Sequence, residues 1–245
     1  MHKINSSITG PILVMLVVLA PAVFAQTNIQ PEAEKVLKNL ETYMSSLTAL
    51  EIEAVVTEES VYDDKLKLQF GGTKQIFVRQ PSKLAVTTNS DYQNTRAYLN
   101  DGKFTLFDLD VNVYAQATIP KPLKKALLTL STEYNTAPPG SELFSGQAYE
   151  VLVAKASKVM YLGKGNVNGA SCHHLAGVLP DMDWQLWIRA EGDPQLCKYI
   201  VTDRSIPLAP QYTMTFTKWK KNTDISDEVF KFHAPADAER IEIIK

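Results

Sequence analysis

Hydrophobic and polar residues change rhythm several times along this chain of 245 residues. An apolar run, Ile12 to Ala20, comes first, bracketed by Pro11 and Pro21 and preceded by two cations, the amino terminus and Lys3. Val23-Phe24-Ala25 then places small residues where a signal peptidase reads them, with cleavage expected before Gln26. A membrane-spanning helix needs roughly 18 or more apolar residues, and the two prolines enclose fewer. Residues 1–25 are therefore expected to be a signal peptide, and no cysteine follows the run to carry a lipid anchor. From Gln30-Pro31 the period becomes helical. Ala33, Val36, Leu37, Leu40, Tyr43, Met44 and Leu47 recur every three or four residues, with Glu32, Glu34, Lys35, Lys38 and Glu41 on the other side. After Leu47 the period falls to two. Ile52, Ala54 and Val56 alternate with more polar neighbours, as do Leu66, Leu68 and Phe70.

Further strands are predicted at 74–80 and 83–88, joined at Pro81-Ser82, and a hairpin is predicted around Asn100-Asp101-Gly102-Lys103. Val111, Val113, Ala115, Ala117 and Ile119 extend the meander, which should be polar on one face. It is interrupted by a helix opening at Pro122, with Leu123, Ala126, Leu127 and Leu130 on one side and Lys121, Lys124 and Lys125 elsewhere. A third helix is expected around 146–154. Strands then resume at 159–163, 171–179, 184–190, 195–203 and 212–220, and Phe230, Phe232 and Ile241-Glu242-Ile243 are expected to make the last edge. The total is about ten strands and three helices. Strongly twisted sheets rarely stay open beyond roughly ten strands, so the expected fold is mainly β (α+β): a curled, partial barrel with the helices tucked into its concave side. Residues 26–245 show no linker, repeat or composition break and are read as a single domain.

Composition changes this picture little. Loss of residues 1–25 removes one lysine and no acid, so the formal charge moves from -2 to -3, too mild to imply a strongly charged partner. Export removes nucleic acid and cytosolic cofactor chemistry from the leading readings. Cys172 and Cys197 would meet an oxidising compartment. The meander nevertheless sets them two strands apart, near 10 Å, whereas a disulfide needs Cα atoms within about 7 Å. The pair is expected to be unbonded.

The best candidate for chemistry is Cys172-His173-His174. Neighbours on a strand point to opposite faces, so the two histidines cannot chelate one metal together. Each is expected to pair with a backbone group. Asp181 and Asp183 sit in the following turn, and Asp63-Asp64 and Asp108 with Asp110 flank hairpins, as acids commonly do. Gly163-Lys164-Gly165 lacks the spacing of a nucleotide loop, and Trp184 and Trp187 fall on opposite strand faces. No catalytic residue, metal site or cofactor is assigned, and the chain is expected not to be an enzyme.

Several segments are familiar. The helix ending Tyr43-Met44-Ser45-Ser46-Leu47, the later Phe77-Val78-Arg79-Gln80-Pro81-Ser82-Lys83-Leu84, and the hairpin Asp101-Gly102-Lys103-Phe104-Thr105-Leu106-Phe107-Asp108 resemble the LolA/LolB-like superfamily of lipoprotein carriers. The second half is similar to a predicted periplasmic family of unknown function, through Tyr161-Leu162-Gly163, Val167-Asn168-Gly169, Cys172-His173-His174-Leu175-Ala176, Asp183-Trp184-Gln185-Leu186-Trp187-Ile188, Phe230-Lys231-Phe232 and Ala234-Pro235. The resemblance implies a LolA-like half-barrel over a helix-lidded cavity, which in the carriers receives lipoprotein acyl chains. No ligand residue is carried over from it. The leading expectation is a soluble periplasmic protein binding a lipid or lipoprotein acyl chain. Leu123, Leu127 and Leu130 would line the lid and Tyr212, Met214 and Phe216 the sheet wall. Transient membrane contact is part of this expectation. The rival is a filled half-barrel that recognises another envelope protein. A continuous apolar cavity of some hundreds of Å³ would favour the first, and a packed interior the second.

Overall fold

The computed structural model describes residues 28–134, 136 and 140–243. The expected signal peptide and its cleavage point lie outside them. The described residues form one open sheet of thirteen strands, rather than the expected ten or so, with three α-helices. In chain order these are β1 (Asn28–Ile29), α1 (Pro31–Ser46), β2 (Ala49–Tyr62), β3 (Leu66–Arg79), β4 (Lys83–Ser90), β5 (Asn94–Asn100), β6 (Lys103–Asp108), β7 (Val113–Thr118) and α2 (Leu123–Thr132). A 3-10 turn, Ser141–Phe144, leads to α3 (Ala148–Val153), β8 (Lys158–Val167), β9 (Ala170–Val178), β10 (Met182–Arg189), β11 (Leu196–Asp203) and β12 (Gln211–Lys221). A second 3-10 turn, Asp227–Phe230, precedes β13 (Glu239–Ile241).

The sheet is two antiparallel meanders, β2 to β7 and β8 to β12, joined where β12 pairs with β2. Its edges are blunted by β1 and β13, two very short strands that pair parallel with β8 and β7. Edge strands this short offer little template for further pairing. Tight turns set the register: Asp63-Asp64, Asp101-Gly102 and Asn168-Gly169 all adopt positive φ, as type I′ turns require, with Lys65 a third loop residue in the first. β3 runs unbroken through Gly71-Gly72, where the alternation suggested two strands. A Cβ on Gly72 would sit 2.5 Å from the Ser90 Cβ, so the glycine allows β4 to pair closely there rather than ending the strand.

The inner face of the sheet carries α1, α2, the first 3-10 turn and α3 in one continuous core. Pro31 opens α1, Glu32 and Glu34 occupy its positive end, and Ala33, Val36, Leu37, Leu40 and Met44 are buried. The Tyr149 hydroxyl of α3 donates to Glu34 Oε1 at 3.2 Å, tying α3 to α1. Trp184 on β10 reaches beneath α3, where its indole N–H donates to the Leu152 carbonyl at 3.0 Å. Gly177, opposite on β9, makes room for it, since a Cβ there would lie 2.2 Å from the indole.

The outer face departs from expectation. Over β3 to β7 it is not polar but carries Phe77, Ala85, Tyr98, Phe107 and Tyr114. The segment 225–232 lies across this face, burying Ile225 and Phe230, while the Phe232 ring meets Tyr98, Phe107 and Tyr114 at 5.0–5.8 Å. Arg79 fastens the segment by donating to the Ile225 carbonyl, pairing with Asp227 and stacking over Phe230. Phe230 and Phe232 therefore clad the sheet instead of forming its edge, which β13 supplies.

The cysteines also correct the sequence reading. Cys172 and Cys197 form a disulfide with Cα atoms 6.8 Å apart. The expectation assumed a regular ladder. A bulge at Trp187/Ile188 sets Ile188 opposite Leu196 and leaves Cys197 as the extra residue. Bulged strands bend and twist locally, so the regular two-strand spacing does not hold there.

Candidate functional site

The conspicuous second-half residues prove to be cross-strand pairs. His174 stacks on Trp187, directly opposite on β10, with ring centroids 4.0 Å apart and an angle of 12°. Its Nε2 shares a 3.1 Å hydrogen bond with Gln185, and Lys198 lies 5.4 Å from the Trp187 ring. His173 points to the inner face and shares a 2.9 Å hydrogen bond with the Tyr161 hydroxyl. Both histidines thus have side-chain partners where backbone partners were expected. Burial, and then the Lys164 ammonium, hold the His173 pKa below the ordinary imidazole value. His173 borders an open cleft of about 380 Å³ between α1 and the β10–β11 turn, shared with Asn39, Tyr43 and Arg189.

A second cleft has a different character. It lies between α2 and α3, measures about 360 Å³, and has walls of Leu127, Leu128, Val151, Ala154 and Leu179. Its position follows from the helix phases. Leu123, Ala126, Leu127 and Leu130 turn α2 onto the core, leaving Leu128 60% exposed on the far side. Ala148 and Leu152 bury the other face of α3 and leave Val151 42% exposed. Two such half-used faces meet as a groove. Polar groups stand on its rim: Lys124, Lys155, Glu150, Ser131 and Gln147. The Lys124 and Glu150 side chains reach across it at 3.4 Å.

The six residues named from sequence share one core. Leu123, Leu127, Leu130, Met214 and Phe216 are buried, and Tyr212 packs against them half-buried. Phe216 meets Phe144 edge-on at 6.5 Å, and Lys74 sits 5.2 Å from the Tyr212 ring. Of the six, Leu127 alone lines the α2–α3 groove. Leu128, Val151, Leu179 and the rim residues were missed. The available signal was Leu128, a leucine out of phase with the α2 stripe.

The two ends of the sheet differ in their exposed large apolar side chains. The turns and strand ends nearest Leu179 expose Tyr62, Leu66, Leu68, Tyr92, Val111, Met182, Ile206 and Leu208, interspersed with exposed Asp63, Asp64, Asp91, Asp110 and Asp181. Turns at the opposite end expose Asp101, Lys103, Asn168, Glu191 and Asn222. The groove, through Leu179, lies toward the end with the exposed large apolar side chains.

Residues 33–244 match the family described as "Predicted periplasmic protein (DUF2092)". The chain belongs to that family. It is a periplasmic protein, and among the described residues no helix is long and apolar enough to cross a membrane. No curated protein matches the sequence. Among solved structures it is similar to an uncharacterized conserved protein from Thermus thermophilus, with TM-score 0.53 and 11% identity over 86% of this chain and 99% of that one. It is also similar to the Mycobacterium tuberculosis lipoprotein LppX (TM-score 0.49, 16% identity, 80% and 100% covered). A LolA superfamily protein from Nitrosomonas europaea gives TM-score 0.38 and 9% identity, with 82% and 97% covered. The likeness to the Thermus protein is one of fold.

Proposed function

We propose that this DUF2092 protein is a non-enzymatic binding protein for a lipid or lipoprotein acyl chain, which it holds at the α2–α3 groove. The observation that carries the proposal is the groove itself, an apolar-walled space of about 360 Å³, within the usual range of ligand sites, about 300–1,000 Å³. Buried Leu123 and Leu130 lie behind Leu127 on α2, and Met214 and Phe216 belong to the same core. Outward movement of α2 would extend the groove toward them, so α2 acts as its lid. The exposed apolar side chains near Leu179, set among aspartates, suit transient contact with the membrane from which a ligand is taken, with Tyr62 and Tyr92 at headgroup level. Leu66→Ser combined with Tyr92→Ser should then reduce co-sedimentation with lipid vesicles, and unchanged sedimentation would remove the contact from the proposal.

A series of n-alkyl probes of increasing length tests the groove. Each added methylene is worth about 0.8 kcal/mol when buried, so affinity should rise about fourfold per carbon until the chain outgrows the space. Affinity that does not vary with length would refute an acyl site. One observation favours a second reading: the sheet's inner face is packed by helices, as in a module that recognises another envelope protein. On that reading no alkyl probe binds at any length.

A further inference from the structure

Resting on the acyl-groove reading, we infer that the groove's ligand is an anionic amphiphile, a single alkyl chain ending in a carboxylate or phosphate held between Lys124 and Lys155. The walls are apolar, and the ionisable groups on the rim are two lysines and one glutamate. Lys124 shares its charge with Glu150. Lys155 makes no ion pair or hydrogen bond among the described residues and stands exposed one residue beyond Ala154. The rim thus carries one uncompensated positive charge beside a surface that excludes water. A neutral chain end leaves that charge unused, and a cationic one meets two ammonium groups.

The Lys124–Glu150 pair does not block this role. At 3.4 Å it exceeds the 2.7–2.9 Å of a strong charge-assisted hydrogen bond, and its side chains are 48% and 63% exposed. Exposed pairs of this kind contribute little. An incoming anion can take Lys124 from Glu150 and join it to Lys155, exchanging a loose contact for a two-lysine clamp. Carboxylate and phosphate heads share this chemistry.

The test is displacement of a fluorescent alkyl probe from the full mature chain by dodecanoate, dodecyl phosphate, dodecanol and dodecyltrimethylammonium. It is run at ionic strengths where the Debye length is about 30 Å and about 3 Å. At low salt both anions should bind about tenfold tighter than dodecanol, and the cation more weakly. High salt should narrow the gap without moving dodecanol. Lys124→Gln with Lys155→Gln should bring both anions to the affinity that dodecanol has for the same variant, while Glu150→Gln should strengthen the preference. The stronger of the two anions identifies the head group. Equal affinity for dodecanol and the anions, or a preference that survives in the double variant, overturns this inference while the acyl groove stands. Failure of all four compounds, dodecanol included, overturns the groove and the head-group site together.

Discussion

Replacing both Cys172 and Cys197 with alanine tests the corrected strand geometry in energetic terms. The bond closes a loop with a sequence separation of 25. In the chain-entropy account such a loop restricts the unfolded chain by about 12 cal/mol/K, or about 3.5 kcal/mol at 25 °C. Both side chains are buried, at 0% and 7% exposure. Alanine avoids the further penalty of about 1–3 kcal/mol that a buried, unpaired serine hydroxyl would add. At about 2–4 °C per kcal/mol for a chain of this size, Tm should fall by about 7–14 °C. Thermal melts followed by far-UV circular dichroism provide the assay, with reduced wild type as a control that should match the double variant. Ligand affinity should stay unchanged, because Cys172 lies seven residues along β9 from Leu179, roughly 23 Å of strand. Two free thiols per chain in unfolded, non-reduced wild type would refute the reasoning, as would melts coinciding within about 2 °C.

Three further outcomes are expected. Phe230→Ala should cost about 3–5 kcal/mol, the usual loss for a buried phenylalanine, because its ring is wholly covered between the sheet and Arg79; a urea midpoint change worth under about 1 kcal/mol would show that the 225–232 segment does not stabilise the fold. His173 is held below its ordinary pKa by burial and Lys164, so as pH falls the unfolded chain takes up this proton first. Stability should therefore decline below about pH 6.5, with the decline weakened in His173→Gln. Losses through Asp101 and Glu51, whose pKa values are lowered chiefly by hydrogen bonds from Ser82 and Lys218, belong to the more acidic carboxylate range; identical pH profiles for wild type and variant above pH 5 would deny His173 this role. Leu127→Asp would cost several kcal/mol if the charge stayed buried unpaired. The α2 helix should lift instead, leaving the far-UV spectrum near wild type while alkyl-probe affinity falls about tenfold, or about 1.4 kcal/mol; loss of the strand signal would show that α2 is integral to the sheet.

Local patterns carried much of this fold, and their failures have identifiable causes. The α1 stripe, the Asp101-Gly102 and Asn168-Gly169 turns and the Pro122 helix start are set by neighbours a few residues away, and they appear where the sequence placed them. β1 and β13 have too few residues for any period, and their pairing with β8 and β7 depends on tertiary contact. The β10–β11 bulge that accompanies the Cys172–Cys197 bond leaves no mark in the alternation of either strand. Phe77, Tyr98 and Tyr114 fell on the face taken to be solvated, because nothing local announces that Phe230 and Phe232 return to cover them. The groove was half legible. Leu127 was named from the α2 stripe, but its opposite wall comes from Val151 and Leu179, and only the packing of α3 beside α2 brings those residues together.

An alkyl chain is proposed to occupy the space between α2 and α3. Photo-cross-linking with a fatty acid carrying a diazirine in its chain, followed by peptide mass spectrometry, reads that position directly. Adducts should concentrate on residues 124–131, 147–155 and Leu179, and excess unlabelled fatty acid should suppress them. Adducts confined to the outer face of the sheet, or labelling that unlabelled fatty acid does not reduce, would contradict it.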